Sequence, residues 1–374
     1  MVFDNIKDFF IKNIIIPNIF KINVPGYITG KFLTLEGQKV FIRNIYIPEL
    51  FFVSLENNLI SKYGENAKEK LYDIGKQFGY SFSLLNNFSN KNPESSIKEL
   101  VIPFLETQYA RKMILKSFDF EKKVIILETE ELAITSKNGR GYILTVGGWA
   151  GIICYFLNDY TLECGIKKID NVTYELISSN IKYLNENKIE FVVSSNEKFK
   201  IFNKDLYKSN NTPLKNTSKI DFTMQNFIKN NIFSYNYGKL TLLSTNERFL
   251  PVEISLLYKM EKFLEPNIVA SISYETFKNI GKNIENKKEP ILFILQILTA
   301  LGFGVAEMIK SSETSIILFK GYPWFEEISK NNFVFITNAI SGFLDGNANQ
   351  KLKIKNIKNN LINNIFNLSF EVFY

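Results

Sequence analysis

The chain has 374 residues and a formal charge of +7, from 45 Lys and Arg against 38 Asp and Glu. That length exceeds the roughly 250 to 300 residues at which one core stops growing, so two domains are expected. Its 45% hydrophobic and 22% charged residues are ordinary for a globular protein, but histidine is absent, which excludes Ser-His-Asp and Cys-His mechanisms, histidine ligation of haem and the commonest base near neutral pH.

In chain order, Phe3, Ile6, Phe9 and Phe10 fall at helical spacing, so residues 1 to about 22 read as an amphipathic helix and connector. Tyr27 to Ile47 alternates around Glu36-Gly37-Gln38 as a hairpin does. A helix follows from Pro48 to Tyr63, and beyond Gly64 a second carries Ala67, Leu71, Ile74 and Phe78 on one stripe. Gly75 and Gly79 sit four apart on that second helix, where a missing side chain lets another backbone come close. Val124 to Leu132 and Gly141 to Val146 favour strands joined by a turn at Lys137-Asn138-Gly139, and Gly147-Gly148-Trp149-Ala150-Gly151 leads into a helix over Ile152 to Leu157. A hairpin around Asp170-Asn171 closes this first unit.

Residues 181–230 are rich in Asn, Lys and Ser and read as a connector between a first domain, 1–180, and a second, 231–374. The second unit repeats the order. Hairpin material spans Tyr235 to Pro251, and the helical stripe Leu257, Met260, Phe263 and Leu264 ends near Pro266. Tyr274 to Ile284 and Ile291 to Leu301 follow as helical runs; Gly302-Phe303-Gly304 then turns into strands Val305 to Lys310 and Ser315 to Phe319. Phe333 to Leu344 reads as a helix and Ser369 to Tyr374 as the last strand.

Short motifs echo across the two units. Tyr27, Gly30, Lys31 and Thr34 precede Gly75-Lys76, while Tyr235, Gly238, Lys239 and Thr241 precede Gly281-Lys282, at nearly matched spacing. Recurrence in order points to two copies of one domain.

This pattern resembles the 4-vinyl reductase domain family, whose members look like haem-nitric-oxide-binding and vesicle-tethering α/β folds. The resemblance is carried by Tyr72-Asp73-Ile74-Gly75-Lys76, Gly148-Trp149-Ala150-Gly151 and Glu163-Cys164 in the first unit, and by Ile280-Gly281-Lys282, Leu301-Gly302-Phe303-Gly304 and Ile340-Ser341-Gly342-Phe343-Leu344 in the second. It implies an α/β (α+β) fold in two tandem copies, packed as an intramolecular pseudo-dimer, and a pocket between the glycine-bearing helices. Sensor members set several cysteines and an acid around a structural zinc. Here Cys154, Glu163 and Cys164 are the only counterparts, Thr173 stands where a last cysteine would be, and the second unit has none.

Chemistry is sparse. Three ligands are one short of a structural zinc site, so zinc and other cofactors are not expected, and both cysteines read as buried thiols. Gly302-Phe303-Gly304 lacks the third glycine and the acidic partner of a dinucleotide fingerprint. Scattered basic residues favour solvation, with a nucleic-acid face as the alternative. The longest apolar run, Ile291 to Ala306, falls short of the roughly 20 residues that span a bilayer, and with two cysteines and no secretory pattern the expected location is cytoplasmic.

The candidate ligand-binding residues are Tyr72, Gly75, Trp149, Tyr274 and Trp324, four of them aromatics that join ring surface to one polar atom. The expected function is a non-enzymatic scaffold holding a small hydrophobic molecule, a protein partner or both. The alternatives are a tetrapyrrole-related auxiliary factor or reductase and a nucleic-acid-associated structural protein.

Overall fold

A computed structural model describes residues 20–33, 39–133, 142–194, 214, 222–236, 239–284, 289–310, 314–324, 333–362 and 365–373. The chain is mixed α+β. It opens on β1 (Phe20–Val24), β2 (Tyr27–Leu33) and β3 (Lys39–Pro48), and so begins the described chain with a strand at Phe20, where the sequence reading extended a helix and connector. The rest of that expected helix, the 34–38 turn and the Lys137-Asn138-Gly139 turn lie outside the described residues. Pro48 hands β3 directly to α1 (Glu49–Tyr63), and Gly64, at φ +59°, breaks it from α2 (Glu65–Leu85). Glycine adopts that left-handed conformation without a side-chain clash.

Helical structure over α3 (Pro93–Ser96), a π-turn (Ile97–Val101) and α4 (Ile102–Tyr109) has no counterpart in the sequence reading, nor has β4 (Lys112–Asp119), which pairs with β5 (Val124–Glu130). The strand expected over Gly141 to Val146 is instead the first turn of α5 (Ile143–Leu157). Local β-branched preference loses here to tertiary context. Tyr142 offers no side-chain cap, but the buried Glu56 carboxylate on α1 accepts the Ile143 N–H at 3.0 Å and so caps the helix from outside. Strands β6 (Glu163–Lys168) and β7 (Thr173–Ser179), helix α6 (Ile181–Glu186) and the short β8 (Glu190–Phe191) follow.

The next elements run in the same order. After α7 (Met224–Lys229) come β9 (Phe233–Asn236), β10 (Lys239–Leu242) and β11 (Glu247–Glu253), then α8 (Ile254–Phe263), α9 (Pro266–Lys282) and α10 (Pro290–Ala300). Pro266 starts α9; it does not merely end the helix before it. Strands β12 (Val305–Lys310) and β13 (Ser315–Lys320), helix α11 (Val334–Ala348), and β14 (Lys353–Ile362) with β15 (Ile365–Phe373) complete the chain. The polar β14 was not expected; its ladder with β15 holds it in place.

Two sheets share one strand pattern: β4-β5-β7-β6, extended by β8, and β12-β13-β15-β14. Each is accompanied by a closely packed helix pair, α2 with α5 and α9 with α11. A third sheet joins the halves of the chain. Its order is β1-β2-β3-β11-β10-β9, with β3 and β11 antiparallel at the centre and Asn44 opposite Glu253. Across this seam the fully buried Arg43 guanidinium donates to the carbonyls of Gly26, Gly302 and Gly321 and lies 4.0 Å from the Tyr27 ring centre. Burial lowers its pKa, with Tyr27 opposing. Among the described residues no helix is long and apolar enough to cross a membrane.

Candidate functional site

The two helix pairs are built from one recurring set of residues, in a register different from the Gly-Lys echo. A Cβ on Gly147 would lie 2.2 Å from the Tyr72 carbonyl oxygen, and one on Gly342 would lie 2.1 Å from that of Tyr274. Gly151 meets Lys76 and Gly346 meets Lys278 in the same way, at 2.0 and 2.1 Å. Gly79 and Gly281 complete the set, each against the facing backbone. Tyr72, Lys76 and Gly79 therefore correspond to Tyr274, Lys278 and Gly281, so the partner of Gly281 is Gly79 and not Gly75. In the hairpins, Tyr27 lies in β2 whereas Tyr235 lies in β9; Thr34 and Gly238 fall outside the described residues.

The same register sets Gly75 opposite Phe277 and Gly148 opposite Phe343. In the second half Phe343 fills space, 6.3 Å from the Phe293 ring centre, and Phe277 packs edge-on against Phe335. In the first half a cavity opens beside Gly148. Phe78 and Phe82 of α2 and Phe104 of α4 form one wall, and Trp149 and Ile152 of α5 form another. The third wall comes from across the seam, from Leu250 and Val252 of β11 and Leu256 of α8. The cavity offers about 90 Å³ to water-sized groups; at ~10–15 Å³ for one such group there is space for roughly six to nine.

Its polar atoms are few. Trp149 is 3% exposed and its indole N–H has no acceptor; Asn44 is 1% exposed and, with its Nδ2 donating to the Ile42 carbonyl, its Oδ1 has no donor. A buried polar atom without a partner costs about 1–3 kcal/mol, a cost that a suitably polar ligand would remove.

On another side of α2, Tyr72 donates to Glu163 at 2.8 Å, and Lys76 forms an ion pair with the same carboxylate at 2.9 Å. Ser194 adds an O–H bond to Glu163 and accepts from Lys76. Burial, with the Glu163 charge, holds the Tyr72 phenol well above its ordinary pKa, so it is a hydrogen-bond donor and not a base. Tyr72 does not line the apolar cavity; it borders a more polar one near Tyr142 and Glu190. In the second half Tyr274 donates to Asp345, which pairs with Lys278 at 2.6 Å; here the acid sits on the helix and not on a strand.

Of the five residues singled out from the sequence, Trp149 alone lines the apolar cavity. Gly75 serves helix packing, since a Cβ there would lie 2.2 Å from the Leu144 oxygen. Trp324 sits in an aromatic cluster with Tyr258 and Phe333, at 4.9 and 4.7 Å between ring centres. Cys154 and Cys164 are fully buried, and desolvation pushes both thiols up to about 12. Among the described residues no three His, Cys, Asp or Glu side chains are arranged to hold a metal. The cavity residues missed from the sequence were Asn44, Phe104 and the β11–α8 contributors. Phe78 and Phe82 carried a signal, since four-residue spacing puts them on one face of α2.

The chain matches no known protein family, no curated protein and no solved structure with which it was compared.

Proposed function

We propose that this chain is a non-enzymatic binding protein that holds a small, largely apolar molecule against α2, α4 and α5 of its first half. The reading rests on one observation: an apolar cavity bordered by Gly148 and walled by Phe78, Phe82, Phe104 and Trp149. Concave apolar sites with a few placed polar groups are how proteins usually hold small molecules. In the lining, the Tyr109 phenol is kept neutral by burial and donates to the Pro251 carbonyl, which favours holding over reacting.

The architecture suits a tandem pair of 4-vinyl-reductase-like domains folded as an internal pseudo-dimer. Supporting it are the repeated element order, the repeated Tyr-Lys-Gly spacing on α2 and α9, and the pairing of the two N-terminal hairpins edge to edge. On this reading the second copy has lost its cavity to Phe343 and Phe277 and serves as the partner of the first.

Gly148→Phe tests the proposal. A Cβ at Gly148 would meet only the Gly75 oxygen at 3.8 Å and Phe78 at 3.9 Å, so a side chain can start there without moving the backbone. The variant should fold and lose at least tenfold in affinity for a fluorescent apolar probe such as 1-aminoanthracene. Binding unchanged by the substitution would place the probe elsewhere and overturn the reading.

A further inference from the structure

The cavity is incomplete within the first half. Leu250 and Val252 of β11 and Leu256 of α8 close one side, and the Asn44–Glu253 register pair of the β3–β11 seam borders the same space. Glu253 is engaged with Ser255, accepting its backbone N–H at 3.1 Å and its hydroxyl, at the start of α8. Asn44 is different, since its side-chain oxygen is buried and unmatched. Asn44 lines this space, though its unmatched oxygen is itself covered, so a ligand donor meets that acceptor only when the side chain turns toward the cavity.

Resting on the cavity reading above, we infer that the β3–β11 seam belongs to the ligand site: Asn44 selects a ligand that carries a hydrogen-bond donor, and the bound ligand couples the two halves of the chain. A molecule held between α2, α4 and α5 on one side and β11 and α8 on the other touches elements from both halves of the chain. A ligand that binds only when those elements are in place must stabilise their association, because binding and docking are linked. The selectivity follows from the same physics. A site with a buried unmatched acceptor discriminates strongly against an isostere that lacks the donor.

The test uses the full chain and two probes of matched size, cyclohexanol and methylcyclohexane, with affinity read by nuclear magnetic resonance titration and coupling read by amide hydrogen exchange. Cyclohexanol should bind at least about tenfold more tightly, a factor equal to roughly 1.4 kcal/mol. Asn44→Leu, close in size, should bring the two probes within about threefold of each other, the range expected when only apolar burial remains. Cyclohexanol should also slow exchange in β11 and α8, as well as in α2 and α5, and should slow neither in Gly148→Phe. Equal affinities for the wild-type chain would remove the role of Asn44. Protection confined to α2, α4 and α5 would overturn the coupling while leaving the cavity reading intact. Should neither probe bind, or should Gly148→Phe bind both as the wild type does, the cavity reading itself fails and this inference with it.

Discussion

The α2–α5 and α9–α11 helix pairs use the same small-residue contacts, yet one borders a cavity at a position where the other carries a phenylalanine. Where α5 has Gly148, α11 has Phe343; where α2 has Gly75, α9 has Phe277. The ion pairs differ in parallel. Lys76 and Glu163 are 3% and 4% exposed in their side chains, whereas Lys278 and Asp345 are 28% and 6% exposed. The comparison teaches that one backbone arrangement can serve as a container or as a plug, depending on the residue at the Gly148 position.

The largest expected effect comes from the ion pairs. Lys76→Ala leaves the Glu163 carboxylate buried without its cation and should cost about 3–5 kcal/mol. Lys278→Ala, which removes an amine that water already reaches, should move the urea midpoint less. Equal midpoint shifts for the two variants would contradict the distinction.

A second comparison concerns the carboxylates that cap α5 and α11. Glu56 and Glu261 each occupy the eighth position of their helices, α1 and α8, and Glu261 accepts from Phe333 and Phe335 at 2.6 and 2.8 Å. Burial raises the Glu261 carboxyl to about 7, the two backbone donors opposing. A raised acid contributes stability that is fully present below the unfolded value of about 4.3 and is lost as pH rises through about 7. Burial lowers the neighbouring Lys259 amine to about 7, so its contribution is present above about 10.4 and is lost as pH falls through about 7. Together the two groups give their smallest contribution near neutrality. Glu261→Gln should flatten the acid limb, a change on the order of 3 kcal/mol between pH 4 and 8, measured by denaturant unfolding across that range. An unaltered acid limb would remove Glu261 from the account.

The smallest effect belongs to the cavity lining itself. Gly148→Ala should stabilise the chain by about 0.5–1 kcal/mol through helix propensity, since the methyl meets only ordinary contacts. Gly147→Ala, whose methyl would press on the Tyr72 carbonyl at 2.2 Å, should destabilise it. Thermal melts of the two single variants decide the point; a loss of stability at Gly148 would mean that the cavity is closed in solution.

Much of the element order was legible in the sequence because it is written in local terms. Pro48 and Gly64 bracket α1, four-residue apolar spacing marks α2, and β-rich runs around polar turns mark β6, β7, β12 and β13. The elements that escaped are those whose local signal is weak or misleading. The α5 start is β-branched and becomes helical where the Glu56 carboxylate accepts the Ile143 N–H, and β14 is polar and exposed and exists through its pairing with β15.

The sequence by itself determined the mixed element order, the recurrence of short motifs in two units and the absence of histidine chemistry, because each is a matter of residue identity or short-range periodicity. Tertiary structure alone decided that Gly79 and not Gly75 matches Gly281, that Tyr72 serves an ion pair while Trp149 borders a cavity, and that β11 closes a site begun by α2. Those outcomes depend on which backbones approach within a few ångströms across hundreds of residues, and no local pattern encodes that choice.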